Sequence, residues 1–301
     1  MKVNKWIDKY LPSDLSGHTF LITGGNSGIG FELAKIIASK NGNLILAIRN
    51  MKKGEEAKKV LLEINSNANI TLLELDLSDF DSIERFTNYI IKNNIDIDYL
   101  FNNAGVYRLP YSLTKQGIEI QTGTNYIGTL MLMNNLITYL TSLPHHVKVT
   151  FVNSVTTYYY RLDHNHFFPT EKDNPIHTYA NTKTMTTHMF YYFLKKYENT
   201  NVSFYLAHPG STYTPLIAKG YQNQAIRLLG RKFMKIFFHL PNKACLVYAM
   251  VLRDIPNGSY IGPRGPLQMS GYPKLLKFKN KYIKNYEKTI EIGLETISTH
   301  R

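Results

Sequence analysis

The sequence predicts one α/β domain in which a mainly parallel sheet is flanked by helices on both faces. Short apolar runs alternate along the chain with segments whose apolar residues recur at helical spacing. The strand-like runs are apolar throughout, which is typical of strands that are buried on both faces. The 301 residues contain no internal repeat and no linker long enough to divide them. We therefore expect a single doubly wound domain over residues 1–301.

The predicted elements follow one another in a regular order. The first strand, 18–23, ends in glycines and leads into helical spacing over 29–39. A second strand and a second helix are predicted over 43–48 and 54–64. Helical stretches separate four further predicted strands, which span 70–75, 95–101, 147–152 and 202–207. Because parallel neighbours need a crossover connection, usually a right-handed one through a helix, this order places helices on both faces of the sheet.

The composition is that of a globular protein with a substantial core. Hydrophobic residues make up 44% of the chain and charged residues 19%. The single cysteine, Cys245, excludes an intramolecular disulfide framework and fits a reducing compartment. Because Cys245 lies in the apolar stretch Ala-Cys-Leu-Val-Tyr-Ala-Met, we interpret it as a buried structural residue.

The net charge of +13 raises the question of a nucleic-acid or membrane-surface partner. The sequence has no zinc-finger spacing, basic-region zipper or RNA-binding sheet signature, so we interpret the charge as a solvated basic surface and expect no nucleic-acid partner. No apolar run reaches the length of about eighteen residues that a membrane span needs. The charged amino-terminal segment, broken by Pro12, lacks the apolar core of a signal peptide. These features predict a soluble, cytoplasmic protein.

Two segments in the carboxyl-terminal third interrupt the alternating pattern. Residues 215–240 are basic and apolar with helix-like spacing, and a segment at this place in an open α/β sheet overhangs the ligand crevice. We interpret this segment as a substrate lid, with an amphipathic helix on a membrane surface and plain core packing as alternatives. Residues 273–301 are interpreted as a basic carboxyl-terminal extension.

The turn after the first predicted strand has the pattern of a dinucleotide-binding loop, because it follows a strand and opens a helix. Its three spaced glycines serve tight turning, close approach of the backbone to phosphate, and close packing of the helix on the strand. The backbone amides that open the helix then face a pyrophosphate, aided by the helix dipole. The residues assigned to this Rossmann-like loop are Gly24, Asn26, Ser27, Gly28, Ile29 and Gly30.

The residues after the second strand select between cofactors. A carboxylate at this place would accept the adenosine ribose hydroxyls, whereas an arginine accommodates a 2′-phosphate. The chain has Arg49-Asn50 and no acid there, which predicts a preference for NADP(H) over NAD(H). A solvated surface charge is the alternative interpretation of Arg49.

Polar and small residues also follow the third and fourth strands. Asp76, in the pair Asp76-Leu77, could accept a hydrogen bond from the adenine amino group. Alternatively, Asp76, Ser78 or Asp79 could cap the following helix. In the sequence Asn102-Asn-Ala-Gly105, the amides of Asn102 and Asn103 can brace the sheet edge, while Ala104 and Gly105 leave room for the cofactor ribose.

The pair Tyr179 and Lys183 is the candidate for acid–base chemistry. Residues four apart on a helix share one face, so the phenol and the ammonium group lie together. A tyrosine of ordinary pKa, about 10, is a poor base near neutrality, but an adjacent cation stabilises the phenolate and lowers that pKa. Ser154, at the end of the fifth strand, could hydrogen-bond the substrate oxygen. In isolation the spacing would favour a surface pair, and only its position among the strand ends favours the catalytic role.

Taken together, these motifs resemble the short-chain dehydrogenase/reductase family over roughly residues 18–215. The resemblance implies a catalytic tetrad of Asn125, Ser154, Tyr179 and Lys183, in which Asn125 holds a water that links Lys183 to solvent. The motifs that carry the resemblance are the glycine loop 23–30, Asp76-Leu77, Asn102-Asn-Ala-Gly105, Asn125, Ser154, Tyr179-Ala-Asn-Thr-Lys183 and His208-Pro-Gly210. The implied cofactor contacts in the second half of the chain come from Tyr179, Lys183, Pro209, Gly210, Thr212 and Thr214.

The implied activity is NADP(H)-dependent interconversion of a carbonyl and an alcohol by hydride transfer, with Tyr179 as the acid/base. A catalytically silent NADP(H)-binding regulatory or interaction protein of the same fold is the alternative. A nucleotide-sugar epimerase or dehydratase shares the Tyr/Lys pair but usually has a longer carboxyl-terminal region. The helix of Tyr179 continues through apolar residues that either pair two copies in a homodimer or pack in the core: Met185, Met189, Tyr192 and Phe193.

Two features resemble the retinol-dehydrogenase-like branch of the family, namely Arg49-Asn50 and the sequence Gly258-Ser-Tyr-Ile-Gly-Pro263. The interval between Ser154 and Tyr179 is also long, as is common in that branch. We expect this interval to form one wall of the pocket for a small, hydrophobic carbonyl or alcohol. Its aromatic residues and histidines are Tyr158, Tyr159, Tyr160, His164, His166, Phe167 and Phe168. His164 and His166 have no clear third partner for a metal, so we interpret them as surface or pocket residues.

Overall fold

One sheet of eight strands runs through the part of the protein that this computed structural model describes, residues 2–158, 160–212 and 240–300. The strands are β1 Thr19–Thr23, β2 Asn43–Ile48, β3 Ile70–Glu74, β4 Tyr99–Asn102, β5 Val147–Val152, β6 Val202–Ala207, β7 Tyr260–Pro263 and β8 Pro273–Leu276. Their order across the sheet is β3-β2-β1-β4-β5-β6-β7-β8. All neighbouring pairs are parallel except β7 and β8, which are antiparallel. The predicted doubly wound fold is therefore confirmed.

Helices cover both faces of the sheet. Those of eight or more residues in the described ranges are α1 Val3–Tyr10, α2 Gly28–Ala38, α3 Met51–Ile64, α4 Phe80–Lys92, α5 Gly128–Ser142, α6 Pro175–Lys196 and α7 Tyr286–Thr299. Successive side chains of a strand point to opposite faces, and β1 shows this clearly. Leu21 belongs to one buried cluster, whereas Phe20 and Ile22 belong to the other. Both faces are thus packed, which explains why the strands are apolar throughout.

The sheet order places a ligand crevice between β1 and β4. From β1 the chain moves outward through β2 to β3, then returns to the other side of β1 to start β4. Where the order reverses in this way, the two neighbouring loops leave the sheet in opposite directions and open a crevice at the carboxyl ends of the strands. The glycine loop after β1 and the sequence Asn102-Asn-Ala-Gly105 after β4 border this crevice.

The last two strands were not predicted. Strand β7 is only four residues long and contains Gly262 and Pro263, both of which are depleted in strands. Strand β8 lies at the sheet edge with Lys274 and Leu275 exposed, so its sequence lacks the apolar run of a buried strand. Tertiary pairing, rather than local pattern, determines both strands.

The residues interpreted as a basic carboxyl-terminal extension contain two elements of the fold, β8 and α7. Helix α7 packs against α6 and α5 through Ile290 and Ile297, which are almost completely buried. At Gly293 an added Cβ would lie 2.6 Å both from the side chain of Leu130 on α5 and from the hydroxyl oxygen of Tyr126. No helix in the described ranges is both long and apolar enough to cross a membrane.

The apolar residues along α6 lie mainly inside the chain's own core. Met185, Met189 and Phe193 are at most 1% exposed, whereas Tyr192 is half-buried. Core packing therefore accounts for three of the four residues considered for self-association. Cys245 is also buried, and burial raises the pKa of its thiol, in agreement with a structural role. Of the segment interpreted as a lid, only Leu240 is among the described residues, and it is exposed.

A buried hydroxyl joins α7 to α6 and to the long interval after Ser154. Thr289 Oγ1 lies 2.7 Å from His188 Nδ1 on α6 and 2.8 Å from His164 Nε2 in that interval. The backbone carbonyl of the same threonine accepts a hydrogen bond from Tyr126 Oη at 2.7 Å. Burial, together with the nearby His164, lowers the pKa of His188 to about 4, so its imidazole is neutral at pH 7.

This buried histidine predicts a loss of stability in mild acid. In the unfolded chain its pKa is about 6.5, so below that pH the unfolded state binds more protons than the folded state. The free energy of unfolding should therefore fall between pH 6.5 and 4, by about 2 kcal/mol from this histidine alone between pH 7 and pH 5. Urea unfolding at pH 7 and pH 5 measures this difference. His188→Asn should reduce it, whereas His300→Gln, at an exposed histidine, should not. An unchanged difference in His188→Asn would show that other groups are responsible.

Candidate active site

The loop between β1 and α2 is held in a conformation that needs glycine. Gly24 and Gly28 have φ angles of 66° and 61°, in the left-handed region that side chains disfavour. At Gly30 an added Cβ would lie 2.4 Å from Asn103 Nδ2. That amide donates hydrogen bonds to the carbonyl oxygens of Thr23 at 2.8 Å and Gly24 at 3.3 Å. Asn103 therefore braces the glycine loop, whereas the sequence predicted that the asparagine amides brace the sheet edge.

The loop after β4 is fixed to the end of β1 by one hydroxyl. Thr23 Oγ1 accepts hydrogen bonds from the backbone N–H groups of Asn103 at 3.0 Å and Ala104 at 2.9 Å. An added Cβ at Gly24 would lie 3.1 Å from the Cα of Ala104. At Gly105 it would lie 3.0 Å from Asn125 Oδ1. The small residues therefore allow the two loops and the following helix to meet at the crevice.

The start of α2 fits the phosphates of a dinucleotide. Ser27, which precedes the helix, makes no capping hydrogen bond through its side chain to the described residues, so the first-turn amides remain free for an anion. Asn26 and Ile29 are half-buried on either side of Ser27, which is exposed. With the cradle that the glycines form, these residues can hold a pyrophosphate by backbone hydrogen bonds.

The side chains proposed for the adenosine end of the cofactor lie at the ends of β2 and β3. Arg49 Nη1 is 3.9 Å from Asp76 Oδ2, and the arginine side chain is 63% exposed. The other oxygen of Asp76 accepts hydrogen bonds from the backbone N–H and the hydroxyl of Ser78, at 2.9 and 2.6 Å. Asn50 caps α3 by accepting a hydrogen bond from the N–H of Lys53.

The structure shows which residue near Asp76 caps the following helix, a point for which the sequence left three candidates. Asp79, not Asp76, caps α4, because its carboxylate accepts the N–H of Asp81 at 3.2 Å. Leu77 is buried in the core, so its side chain packs there. Its carbonyl oxygen would lie 1.9 Å from a Cβ added at Gly128, the first residue of α5. No pattern in the sequence indicates this backbone contact.

Three of the four residues in the implied tetrad meet at the carboxyl ends of β4 and β5. Lys183 Nζ lies 5.6 Å from the centre of the Tyr179 ring, one helical turn away on α6. Ser154, which follows β5, forms a side-chain hydrogen bond with Tyr179. Lys183 Nζ donates a 2.9 Å hydrogen bond to the carbonyl oxygen of Val152, the last residue of β5. The phenol, the hydroxyl and the ammonium group thus form one site.

The pKa of Tyr179 shifts in the opposite direction from the one that the sequence predicted. Burial raises the pKa of the Tyr179 phenol; the hydrogen bond with Ser154 opposes this rise, and the nearby Tyr107 adds to it. Burial also lowers the pKa of Lys183 to about 8. The sequence predicted a lowered tyrosine pKa from the neighbouring cation alone. In the folded chain the loss of solvation is the larger effect, so the phenol is protonated at neutral pH and can act as a proton donor.

Asn125 occupies a π-helical turn, Gly123–Ile127, just before α5. Its Oδ1 accepts the N–H of Val106 at 2.7 Å, and its Nδ2 donates to Val106 O at 2.9 Å and to Thr182 Oγ1 at 3.1 Å. Thr182 in turn donates to the carbonyl oxygen of Tyr179 at 2.7 Å. Asn125 therefore joins the loop after β4 to the helix that carries Tyr179 and Lys183. The water-holding role that the resemblance implies remains a prediction.

The turn after β6 holds the last set of predicted cofactor contacts. Gly210 has a φ of 74°, and Thr212 is buried, with its hydroxyl 3.4 Å from the carbonyl oxygen of Pro209. Thr214 lies outside the described residues. The turn is continuous with β6, so it leaves the sheet at the same edge as Ser154 after β5.

Sequence reasoning missed two residues of the site. Tyr107 packs edge-on against Tyr179, with ring centres 4.7 Å apart. Thr182 connects Asn125 to the backbone of α6, as described above. Tyr107 could have been found from its position, because it closely follows Ala104-Gly105 in the loop after β4. Thr182 lies within the Tyr179-Ala-Asn-Thr-Lys183 sequence, but nothing in that pattern indicates its partner.

The aromatic interval between Ser154 and Tyr179 folds back on the domain. Phe167 is buried against Tyr126, while Phe168 is exposed. The ring of Tyr160 lies 4.4 Å from that of His177. His166 forms a 2.8 Å contact with Asp173. Tyr159 lies outside the described residues, and within the rest of the described chain no group of three His, Cys, Asp or Glu side chains could hold a metal ion. The interval's role as a pocket wall remains a prediction.

Comparisons with known proteins agree with this geometry. A family model described as short chain dehydrogenase matches residues 18–225. Retinol dehydrogenase 11 of Homo sapiens is 31% identical over 205 residues, which cover 67% of this chain and 64% of that protein. The matched segments span 37% to 65% of the lengths of the curated relatives.

Solved structures share the fold. An uncharacterised protein from Mycobacterium paratuberculosis is 22% identical, with a TM-score of 0.73 and 96% of both chains covered. A short-chain dehydrogenase from Shigella flexneri, solved in complex with NADP, is 20% identical, with a TM-score of 0.63, and covers 81% of this chain and 94% of that chain. From the matched family model and the assembled site, the chain belongs to the short-chain dehydrogenase/reductase family and resembles its retinol-dehydrogenase-like branch.

Proposed function

We propose that the protein is an NADP(H)-dependent oxidoreductase that interconverts a carbonyl and an alcohol, with Tyr179 as the acid/base. The observation that carries this proposal is the meeting of Ser154, Tyr179 and Lys183 beside a crevice whose glycine loop fits a dinucleotide. When bound, the nicotinamide would supply or accept the hydride. The residues of the chain then have to position the substrate oxygen and move one proton.

Each group has a role that follows from its surroundings. Ser154 can donate a hydrogen bond to the substrate oxygen and hold it near the phenol. In reduction, Tyr179 gives its proton to the oxygen as negative charge develops there, and its raised pKa keeps that proton available at neutral pH. The ammonium group of Lys183 stabilises the phenolate that remains. In oxidation, the same groups act in the opposite order.

Measuring the oxidation of NADPH and of NADH with a panel of aldehydes and ketones tests the proposed function. We expect turnover of at least one hydrophobic carbonyl compound, with NADPH preferred. Tight binding of NADPH without turnover across a broad panel would instead indicate a silent cofactor-binding protein. Product analysis of the active substrate would then show which carbonyl is reduced.

The preference for NADP(H) is proposed from Arg49 and its partner. Arg49 is exposed and its pairing with Asp76 is long, so the side chain can turn towards a 2′-phosphate at little cost. No acidic residue follows β2 directly, since Arg49 and Asn50 occupy those positions.

Replacement of Arg49 by alanine should therefore weaken NADP(H) binding about tenfold while leaving NAD(H) binding within about twofold. The reason is that the arginine contacts only the phosphate that distinguishes the two cofactors. Dissociation constants measured for both cofactors test this, with Lys59→Ala as the control for loss of one exposed charge on α3. Tighter binding of NAD(H) than of NADP(H) by the unmodified protein would remove Arg49 from its proposed role.

A further inference from the structure

A polar chain, buried at His208 and Tyr260 and half-buried at Tyr158 and Gln268, joins three loops at the carboxyl edge of the sheet. Tyr158 Oη lies 2.6 Å from Tyr260 Oη and donates a 3.0 Å hydrogen bond to Gln268 Oε1. The same amide oxygen lies 2.9 Å from His208 Nε2. Tyr158 belongs to the turn that follows Ser154, His208 opens the turn after β6, and Gln268 lies in the loop after β7. One oxygen atom therefore holds both loops that border the proposed site of reaction.

The surrounding groups fix the position of every proton in this chain. The N–H of Gly210 donates to His208 Nδ1 at 3.2 Å, so Nδ1 is an acceptor. Burial lowers the pKa of His208 to about 4, so the ring is neutral and its one proton is on Nε2, directed at Gln268. Because the Tyr158 proton also goes to Gln268, the Tyr260 hydroxyl must donate to Tyr158. Only the amide oxygen of a glutamine, not its nitrogen, can accept both bonds.

The loop that carries Gln268 is held in a costly conformation. Leu267 and Gln268 have φ angles of 48° and 56°, in the left-handed region that side chains other than glycine and asparagine rarely adopt. The loop is also in close contact with the turn after β6. The N–H of Ser211 donates to Met269 O at 2.9 Å, and a Cβ added at Gly210 would lie 2.4 Å from that oxygen. Strained backbone persists only where its surroundings determine it, and it clusters at functional sites.

We propose that Gln268 is a positioning residue that sets the turn Pro209–Thr212 relative to Ser154. This inference rests on the proposed function, in which that turn contacts the cofactor and Ser154 holds the substrate oxygen. If the amide oxygen is lost, the buried His208 and the half-buried Tyr158 each keep a donor without its partner. The imidazole is then free to rotate, and Gly210 loses the acceptor that fixes its N–H.

The first test needs no cofactor. In Gln268→Leu the amide of Gly210 should exchange with solvent at least about tenfold faster than in the unmodified protein, because its hydrogen bond to His208 is no longer fixed. Leu267→Ala, at the exposed neighbour in the same loop, should leave that exchange rate unchanged. Exchange of Gly210 at the same rate in Gln268→Leu would overturn the proposal.

The second test asks whether the positioning matters for the site. Gln268→Leu and Tyr158→Phe should each weaken NADP(H) binding or lower kcat about tenfold, per folded molecule. Tyr89→Phe, at an exposed tyrosine on α4, is the matched control. Lower thermal stability with unchanged dissociation constant, KM and kcat would assign the network a structural role only and overturn the proposal.

The variant Gln268→Glu supplies a pH-dependent readout. Its carboxylate can still accept both hydrogen bonds, but the negative charge raises the pKa of His208. Among the described residues, the other titratable groups that face His208 are Tyr158 and Tyr260, which burial keeps neutral. Protonated His208 cannot accept from Gly210, so NADP(H) affinity relative to the unmodified protein should be near one at pH 8 and fall at pH 6. A pH-independent ratio would contradict the proposal, whereas an unmodified protein that binds no cofactor would defeat the proposed function instead.

Discussion

Replacement of Tyr179 by phenylalanine is expected to lower kcat for carbonyl reduction between about a hundredfold and ten-thousandfold. The change removes the hydroxyl that gives its proton to the substrate oxygen and hydrogen-bonds Ser154, while the ring still packs edge-on against Tyr107. Cofactor binding should change little, since the glycine loop and Arg49 are untouched. Steady-state rates and the dissociation constant of NADPH measure the two effects separately.

Tyr89→Phe is the control for this substitution, because it removes an exposed hydroxyl on α4. Its rates should match those of the unmodified protein. Near-normal turnover by Tyr179→Phe would defeat the proposed mechanism, whatever the cofactor preference. Loss of both turnover and NADPH binding would indicate a disturbed fold, which circular dichroism and thermal unfolding would reveal.

The second large effect concerns the protonation of Lys183. Burial favours the neutral amine and lowers the pKa of this group to about 8, so its charge is present below that pH and lost above it. The ammonium ion stabilises the phenolate that forms during reduction. We therefore expect kcat/KM for reduction to fall by up to tenfold per pH unit above about pH 8. A profile that stays flat to pH 10 would exclude this role for Lys183.

Removing the charge of Lys183 by substitution should lower kcat/KM for reduction at all pH values. Lys183→Met is expected to lower kcat/KM at pH 7 about a hundredfold and to abolish the decline above pH 8. Lys195→Met, at an exposed lysine farther along α6, should retain both the rate and the pH profile. A normal profile in Lys183→Met would assign the titration to another group.

Local pattern was sufficient for much of the fold. Strands β1 to β6 coincide closely with predicted apolar runs, since strands buried on both faces must be apolar. The predicted run 95–101 gave only Tyr99–Asn102, because the chain before it is a turn leading from α4. Strand β7 forms by pairing with β6, which lies far earlier in the sequence, and β8 then pairs with β7 as its antiparallel neighbour; the composition of neither strand indicates this.

The site was predictable to the extent that it depends on spacing. Tyr179 and Lys183 lie on one face of a helix because they are four residues apart. The direction of the tyrosine's pKa shift depends on burial, which is a property of the tertiary structure. The same is true of the π-helical turn that directs Asn125 to Thr182, and of the contact between Gln268 and His208.

The antiparallel strand β8 has a consequence for the behaviour of the molecule at high concentration. An edge strand offers unpaired backbone groups to which a strand of another molecule can add, and such addition starts aggregation. Lys274 on this strand and Lys277 just after it are exposed. A second copy that approached edge to edge would bring like charges together, so this border of the sheet discourages intermolecular strand addition.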